Sequence, residues 1–294
     1  MFPKVLIATD SSPASYAVVG CGRALQQLGV RECVLAQCFL IREHVAFPDE
    51  IRAHIRSGLQ EQKKLLEKQG MQTTLAIAAG LDATEIPRIA EQQDCSLIAV
   101  GSRGHSFSSE ILLGGTAAEI IHQARRPVLI LRLVMDQSSG QIVCACRDRE
   151  LFHHVLYPTD FSEHAEHAFP YVREAVVHGA RRVTLLHVQE KVRLGKHLEH
   201  KLEEFNRIDR ERLDRLRTEL LDVATPDIEV EIVYGSATKE IVERTGDGGA
   251  TLVVMGSHGR GFVSELFLGS VSHNVARHAK SSVLLIPAHR GDDE

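Results

Sequence analysis

With 294 residues, the chain is long enough for roughly two domains of about 150 residues, each able to bury a real core. Lys and Arg number 34 against 39 Asp and Glu, a mildly acidic balance without a concentrated basic face, which argues against a nucleic-acid binder. The N-terminal Met-Phe-Pro-Lys-Val-Leu-Ile-Ala-Thr-Asp reaches an aspartate too soon for a signal peptide, and apolar runs fall far short of the ~20 residues of a membrane span, so a soluble cytoplasmic protein is expected.

Taken in chain order, Val5 to Ala8 reads as a buried strand, followed by a helical stretch whose apolar positions Ala14, Val18, Ala24 and Leu28 recur near the helical period. Strand two is Glu32 to Leu40. A charged helix from Pro48 to Gln69, with Leu59, Leu65 and Leu66 on its apolar side, stops at Gly70. Strand three, Thr73 to Ala79, leads through Gly80 to a helix near Glu85 to Gln93, for which Asp82 and Glu85 have capping-box spacing. A fourth strand (Ser96 to Val100), a glycine loop, a helix from Thr116 to Ala124 and a fifth strand, Val128 to Leu131, follow. Strands alternating with helices predict a parallel sheet covered on both faces.

The stretch Met135 to Arg149, with Asp-Gln-Ser-Ser-Gly at its centre, reads as a linker between domains 1–134 and 151–290. All six cysteines precede residue 150, so no disulfide framework is common to both halves, and most behave as small core hydrophobes. Cys144-Ala-Cys146, followed by His153-His154, is the one place where a soft-metal or redox site is conceivable, although zinc sites usually show wider spacing and a second ligand pair.

The second half repeats the first. Val155-Leu-Tyr-Pro-Thr-Asp160 answers Val5-Leu-Ile-Ala-Thr-Asp10, and Val183 to Val188 answers Cys33 to Cys38; Ser282 to Ile286 answers Pro127 to Leu131. Asp10 to Cys38 and Asp160 to Val188 both span 28 residues. The chain is therefore a tandem repeat. Pro170 is expected to kink the helix after Asp160 or delay its start, since proline lacks a backbone donor. The long charged helix from His197 to Asp222 carries an apolar stripe, with its charges read as a solvated face.

Gly101-Ser-Arg-Gly104 with Gly114-Gly115, and Gly256-Ser-His-Gly259 with Gly269-Ser270, share one spacing in a strand–loop–helix context. Free backbone N–H groups and the positive helix end favour an anion such as phosphate there. Singly, each residue has a plainer reading: Asp160 as a helix N-cap, Gly256 and Gly259 as turn residues, Ser270 as a cap, His258 as a surface histidine. The joint spacing argues for a nucleotide site.

Gly-x2-Gly-x9-Gly-Ser after a strand, with Thr-Asp closing the first strand, resembles the ATP-binding type of universal stress protein, here as a tandem pair. The resemblance implies two Rossmann-like, adenine nucleotide alpha-hydrolase-like α/β domains, each a five-stranded parallel sheet of order 3-2-1-4-5 with helices on its flanks. Nucleotide would lie at the carboxyl ends of strands one and four, as at a topological switch point. It further implies that Pro158 and Thr159 shape the adenine wall, that Asp160 contacts the adenosine end and that the backbone of Val188 reads the base edge. Met255, Gly256, His258 and Gly259 would follow the ribose and phosphates, and Gly269, Ser270, Val271 and Ser272 would close the phosphate cradle. In the first repeat Thr9, Asp10, Gly101, Arg103, Gly104, Gly114, Gly115 and Thr116 occupy the equivalent places, with Arg103 offering a charge-assisted phosphate contact. Gly115 departs from the expected Ser or Thr, Ala8 replaces Pro158 and Cys38 replaces Val188, so the second repeat is expected to bind more tightly.

The ligand implied is ATP or AMP, with Mg2+ as an optional companion of the phosphates. No P-loop lysine, Gly-x-Ser-x-Gly elbow or His-Glu-x2-His is present, which points to a nucleotide-responsive stress regulator with at most slow hydrolysis. The alternatives are a slow ATPase or phosphoryl- or adenylyl-transferring enzyme using the same loop, and a partner-binding module without nucleotide. By resemblance to dimers of single-domain members, the fifth strands are expected to pair in an intramolecular pseudo-dimer, with the helix from His197 to Asp222 a candidate surface for a further homodimer.

Overall fold

Short runs of β-branched and aliphatic residues bounded by polar turns give buried parallel strands, and such strands set the frame of both halves in the computed structural model, which describes residues 1–39, 49–102, 113–146, 150–189, 202–259 and 269–288. The chain divides into two units, Met1–Glu150 and Leu151–Glu294.

In the first unit the strands are β1 (Lys4–Ala8), β2 (Glu32–Phe39), β3 (Gln72–Ala79), β4 (Leu97–Gly101) and β5 (Val128–Leu131), in the order β3-β2-β1-β4-β5. All four pairings are parallel. The helices are α1 (Pro13–Gly20), α2 (Gly22–Gln27), α3 (Asp49–Lys68), α4 (Asp82–Gln92) and α5 (Gly115–Gln123). The stretch read as the first helix is thus two helices that meet at Cys21, which caps the end of one and the start of the next. Gly70, at φ +82, ends α3 in the left-handed conformation that glycine adopts without steric cost.

One local expectation fails here. Asp82 does not cap α4: the N-cap is Leu81, without a side-chain hydrogen bond, and Asp82 lies inside the helix. Its carboxyl instead takes a hydrogen bond from the Cys38 thiol. The stretch read as a linker also contains a hairpin, β6 (Leu133–Met135) against β7 (Ile142–Cys144), which packs on α1. Asp136 closes its turn by accepting from the Ser138 amide at 2.9 Å.

The second unit repeats the order as β10-β9-β8-β11-β12, from β8 (His154–Pro158), β9 (Arg182–Gln189), β10 (Asp227–Tyr234), β11 (Leu252–Gly256) and β12 (Ser282–Ile286), again parallel throughout. Its helices are α6 (Glu163–Val177), α7 (Leu202–Leu221), α8 (Ala237–Glu243) and α9 (Ser270–His278). The expected effect of Pro170 on the start of the helix is not seen: α6 begins at Glu163, capped by Ser162, and runs through Pro170. Pro170 is exposed, so the missing donor lies on the solvent side of the helix, where it costs least. Among the described residues no helix is long and apolar enough to cross a membrane.

Candidate functional site

At the carboxyl ends of β8 and β11 the second unit holds a cavity of about 690 Å³, within the range of small-molecule sites. Every second-repeat residue singled out above lines it: Pro158, Thr159, Asp160 and Val188 on one side, and Met255, Gly256, His258, Gly259, Gly269, Ser270, Val271 and Ser272 on the other.

The strand ends explain the first wall. The Thr159 amide donates to the Leu186 carbonyl at 2.9 Å, so that edge of β9 faces β8. Alternation along a parallel strand turns the Val188 amide and carbonyl to the same side, where β8 has already ended at Pro158. One donor and one acceptor therefore stand at the cavity without a strand partner from β8. Beyond Pro158 the chain makes a tight loop. Thr159 Oγ1 accepts from the Phe161 amide at 3.0 Å, and Asp160 Oδ1 accepts from the Ser162 amide at 3.0 Å and its hydroxyl at 2.6 Å. Asp160 is thus not the N-cap; Ser162 is, taking the Ala165 amide at 3.3 Å.

Close approach demands glycine at position 256 and favours it at 259 on the opposite wall. A Cβ on Gly256 would stand 2.6 Å from the His164 carbonyl oxygen, and one on Gly259 would stand 2.9 Å from Asp160 Oδ2. Gly269 is the N-cap of α9, and Ser270 opens the helix instead of capping it. The first-turn amides of α9 have no intrahelical acceptor and carry the positive end of the helix dipole to the cavity. Ser272, nearly fully buried, spends its hydroxyl on the Ser257 carbonyl at 2.5 Å and the Gly269 carbonyl at 3.0 Å, holding both ends of the loop together. The His258 ring packs 5.4 Å from that of His164, with Nδ1 2.7 Å from Ser257 Oγ.

The charged helix α7 contributes what the sequence pattern did not announce. Phe205 and Ile208 of its apolar stripe line the cavity, and so do Asp209 and Arg212, two of the charges that the pattern assigns to a solvated face. Arg212 lies over the Phe161 ring at 5.2 Å, and Phe161 packs at 4.6 Å on the His187 ring. Phe161 sits at φ +57, an uncommon conformation for a bulky residue.

In the first unit Thr9, Asp10, Gly101, Gly114, Gly115 and Thr116 occupy the equivalent strand ends and helix start, while Arg103 and Gly104 lie outside the described residues. Asp10 holds the Ser12 amide at 2.9 Å, and Ser11 takes the left-handed φ of +58. The rest is different. The buried Gln62 accepts from Thr9 Oγ1 at 2.8 Å and donates to Ser15 Oγ at 3.1 Å, while Ser11 Oγ donates to Gln37 Oε1 at 2.9 Å. Gly58 lets α3 approach so closely that a Cβ there would meet Ser11 Oγ at 2.9 Å. Burial raises the Asp82 carboxyl above its ordinary range; the Cys38 hydrogen bond opposes this, and the neighbouring Asp10 and Glu119 carboxylates add to it. Burial, with Asp82 beside it, pushes the Cys38 thiol up to about 12. The aligned residues of the second unit are Ala237 and Asn274 in place of Asp82 and Glu119.

Comparison with known proteins follows the same division. The profile of the Universal stress protein family matches residues 1–132 and again 151–287. A universal stress protein of Methanocaldococcus jannaschii is 33% identical over 155 residues, covering 46% of this chain and 95% of that one. Another, from Bacillus subtilis, is 33% identical over 150 residues, covering 45% and 100%. Among solved structures, a universal stress protein of Archaeoglobus fulgidus matches at a TM-score of 0.68 with 26% identity, over 99% of this chain and 97% of that one.

Proposed function

Because the chain belongs to the universal stress protein family, we propose that its second unit binds an adenine nucleotide, ATP or AMP, and that the protein works as a nucleotide-responsive stress regulator. One observation carries the reading. A cavity of nucleotide size joins an apolar wall, with the free strand-edge groups of Val188, to a glycine loop and the first turn of α9. A flat base fits the first wall and phosphates fit the second, where backbone N–H groups and the helix dipole favour negative charge. Asp160 stands between them as an acceptor for a sugar hydroxyl or an amino group, its Oδ1 already fixed by Ser162. Gly259 leaves room for Oδ2.

The residues fit a nucleotide better than they fit rapid turnover. Among the described residues no lysine lines the cavity to stabilise a transferring phosphoryl group, and Ser257 already engages Nδ1 of His258, the ring nearest the glycine loop. Mg2+ would enter with the phosphates. Isothermal titration of the full chain with ATP and AMP tests the reading, together with steady-state phosphate release. Binding of either nucleotide is expected, with turnover well below the median enzyme rate of about 10 per second. Absence of binding would sink it, and rapid hydrolysis abolished by His258→Ala would replace it with an enzymatic one.

A further inference from the structure

We propose that Gln189, held in place by Asp209, determines base specificity in the second-unit cavity by accepting a hydrogen bond from the exocyclic amino group of a 6-aminopurine. This rests on the nucleotide reading above and adds to it a residue that distinguishes one base from another.

Gln189 ends β9, lines the cavity and is only 8% exposed. Its Nε2 donates to Asp209 Oδ2 at 2.8 Å, whereas its Oε1 is buried without a hydrogen-bond partner among the described residues. A carboxylate only accepts, so this bond fixes which way the amide faces and leaves the oxygen as the unsatisfied end. Leaving a buried acceptor unpaired is costly, and such groups in native proteins call for an explanation. A donor on a bound ligand supplies one.

The acceptor is rigidly mounted. Asp209 Oδ2 also lies 3.4 Å from His187 Nε2, and His187 Nδ1 lies 2.8 Å from the Thr159 carbonyl, so β9, α7 and the loop after β8 are tied through three side chains. Beside Gln189, Val188 offers one backbone donor and one backbone acceptor on the edge left by β8. A 6-aminopurine answers that set, with a ring nitrogen for the donor and an amino group whose two hydrogens serve the Val188 carbonyl and Gln189 Oε1. A 6-oxopurine would turn its own acceptor toward these two oxygens. The aligned residues of the first unit are Gln37 for His187 and Phe39 for Gln189, so this arrangement belongs to the second unit alone.

The test is calorimetric titration of the full chain with ATP and with ITP, whose bases differ in carrying an amino or an oxo group at position 6. Wild type is expected to favour ATP by more than about tenfold, and Gln189→Leu to weaken ATP by about two- to twelvefold, one hydrogen bond's worth, with ITP unchanged or strengthened. Ser270→Ala is expected to weaken both alike. Thermal melting verifies the fold of each variant, and Gln189→Met replaces Gln189→Leu if the latter does not fold. An undiminished ATP-to-ITP ratio in the folded Gln189 variant would overturn the proposal alone, as would a wild type that binds both equally. A wild type that binds neither would overturn the nucleotide reading and this proposal with it.

Discussion

At the scale of single residues, the glycines and serines of the second loop divide between shape and chemistry. Gly256 is a packing position: its missing Cβ makes room for a backbone carbonyl, which cannot rotate away as a side-chain tip can. Gly256→Ala is therefore expected to destabilise the second unit by about 1–3 kcal/mol, the range for overpacking, in urea unfolding. Lost nucleotide binding in a bulkier variant there would report on the fold, so it is a poor probe of phosphate contact. Ser272 is a clamp, since its one hydroxyl proton is shared between two backbone carbonyls. Ser272→Ala should cost about 0.5–1.5 kcal/mol in the same measurement, with weaker binding as a consequence of a looser loop. Unchanged stability would show that the clamp contributes nothing.

At the scale of elements, α6 shows how tertiary context overrides a local rule. Pro170 should break a helix, yet α6 spans 15 residues because Ser162 caps its start and Ala165, Ala168, Phe169 and Val172 bury its inner face. Pro170→Ala restores the donor facing the Glu166 carbonyl and is expected to raise stability by about 1 kcal/mol, less than the ~3 kcal/mol of isolated helices because the native helix has already adapted and the unfolded chain gains freedom. A lower melting temperature would contradict this. The strands were legible because parallel strands are continuous apolar runs, as in Leu97–Gly101 and Leu252–Gly256, whereas their order came from the family resemblance alone. The glycine loops were legible because close backbone approach demands one residue type. Asp209 and Arg212 were not, because a charged residue on a charged helix looks the same whether it meets water or a cavity. Asp82 misled for a related reason: the spacing suited a cap, but Cys38 on the neighbouring strand claimed the carboxyl.

At the scale of the whole molecule, duplication has left two frames of one kind with different contents. The second unit keeps apolar walls, a serine at the start of α9, and Ala237 and Asn274 where the first has Asp82 and Glu119. The first has buried glutamines bonded to the loop after β1, glycine at the helix start, and Asp10 and Glu119 close enough to Asp82 to disfavour its charge. Three carboxylates repel a polyphosphate, so ATP is expected to titrate to about one equivalent per chain. Two equivalents of equal affinity would contradict the asymmetry. The same carboxylates give a stability signature whose sign is fixed. Since the Asp82 pKa is raised above 3.8 in the folded state, the native unit holds its proton more tightly than the unfolded chain, and stability falls as pH rises through that window. Asp82→Ala, the residue type at the aligned position 237, should thus stabilise the protein at pH 7 and lose that advantage below the ordinary carboxylate range. Urea unfolding at both pH values measures it. A variant no more stable than wild type at pH 7 would mean that the Cys38 hydrogen bond outweighs burial and the neighbouring charges. The stabilised variant should also bind ATP in the first unit more readily, once combined with Glu119→Asn and Gly115→Ser, because those three changes remove two negative charges and return the helix-start hydroxyl to the phosphate end.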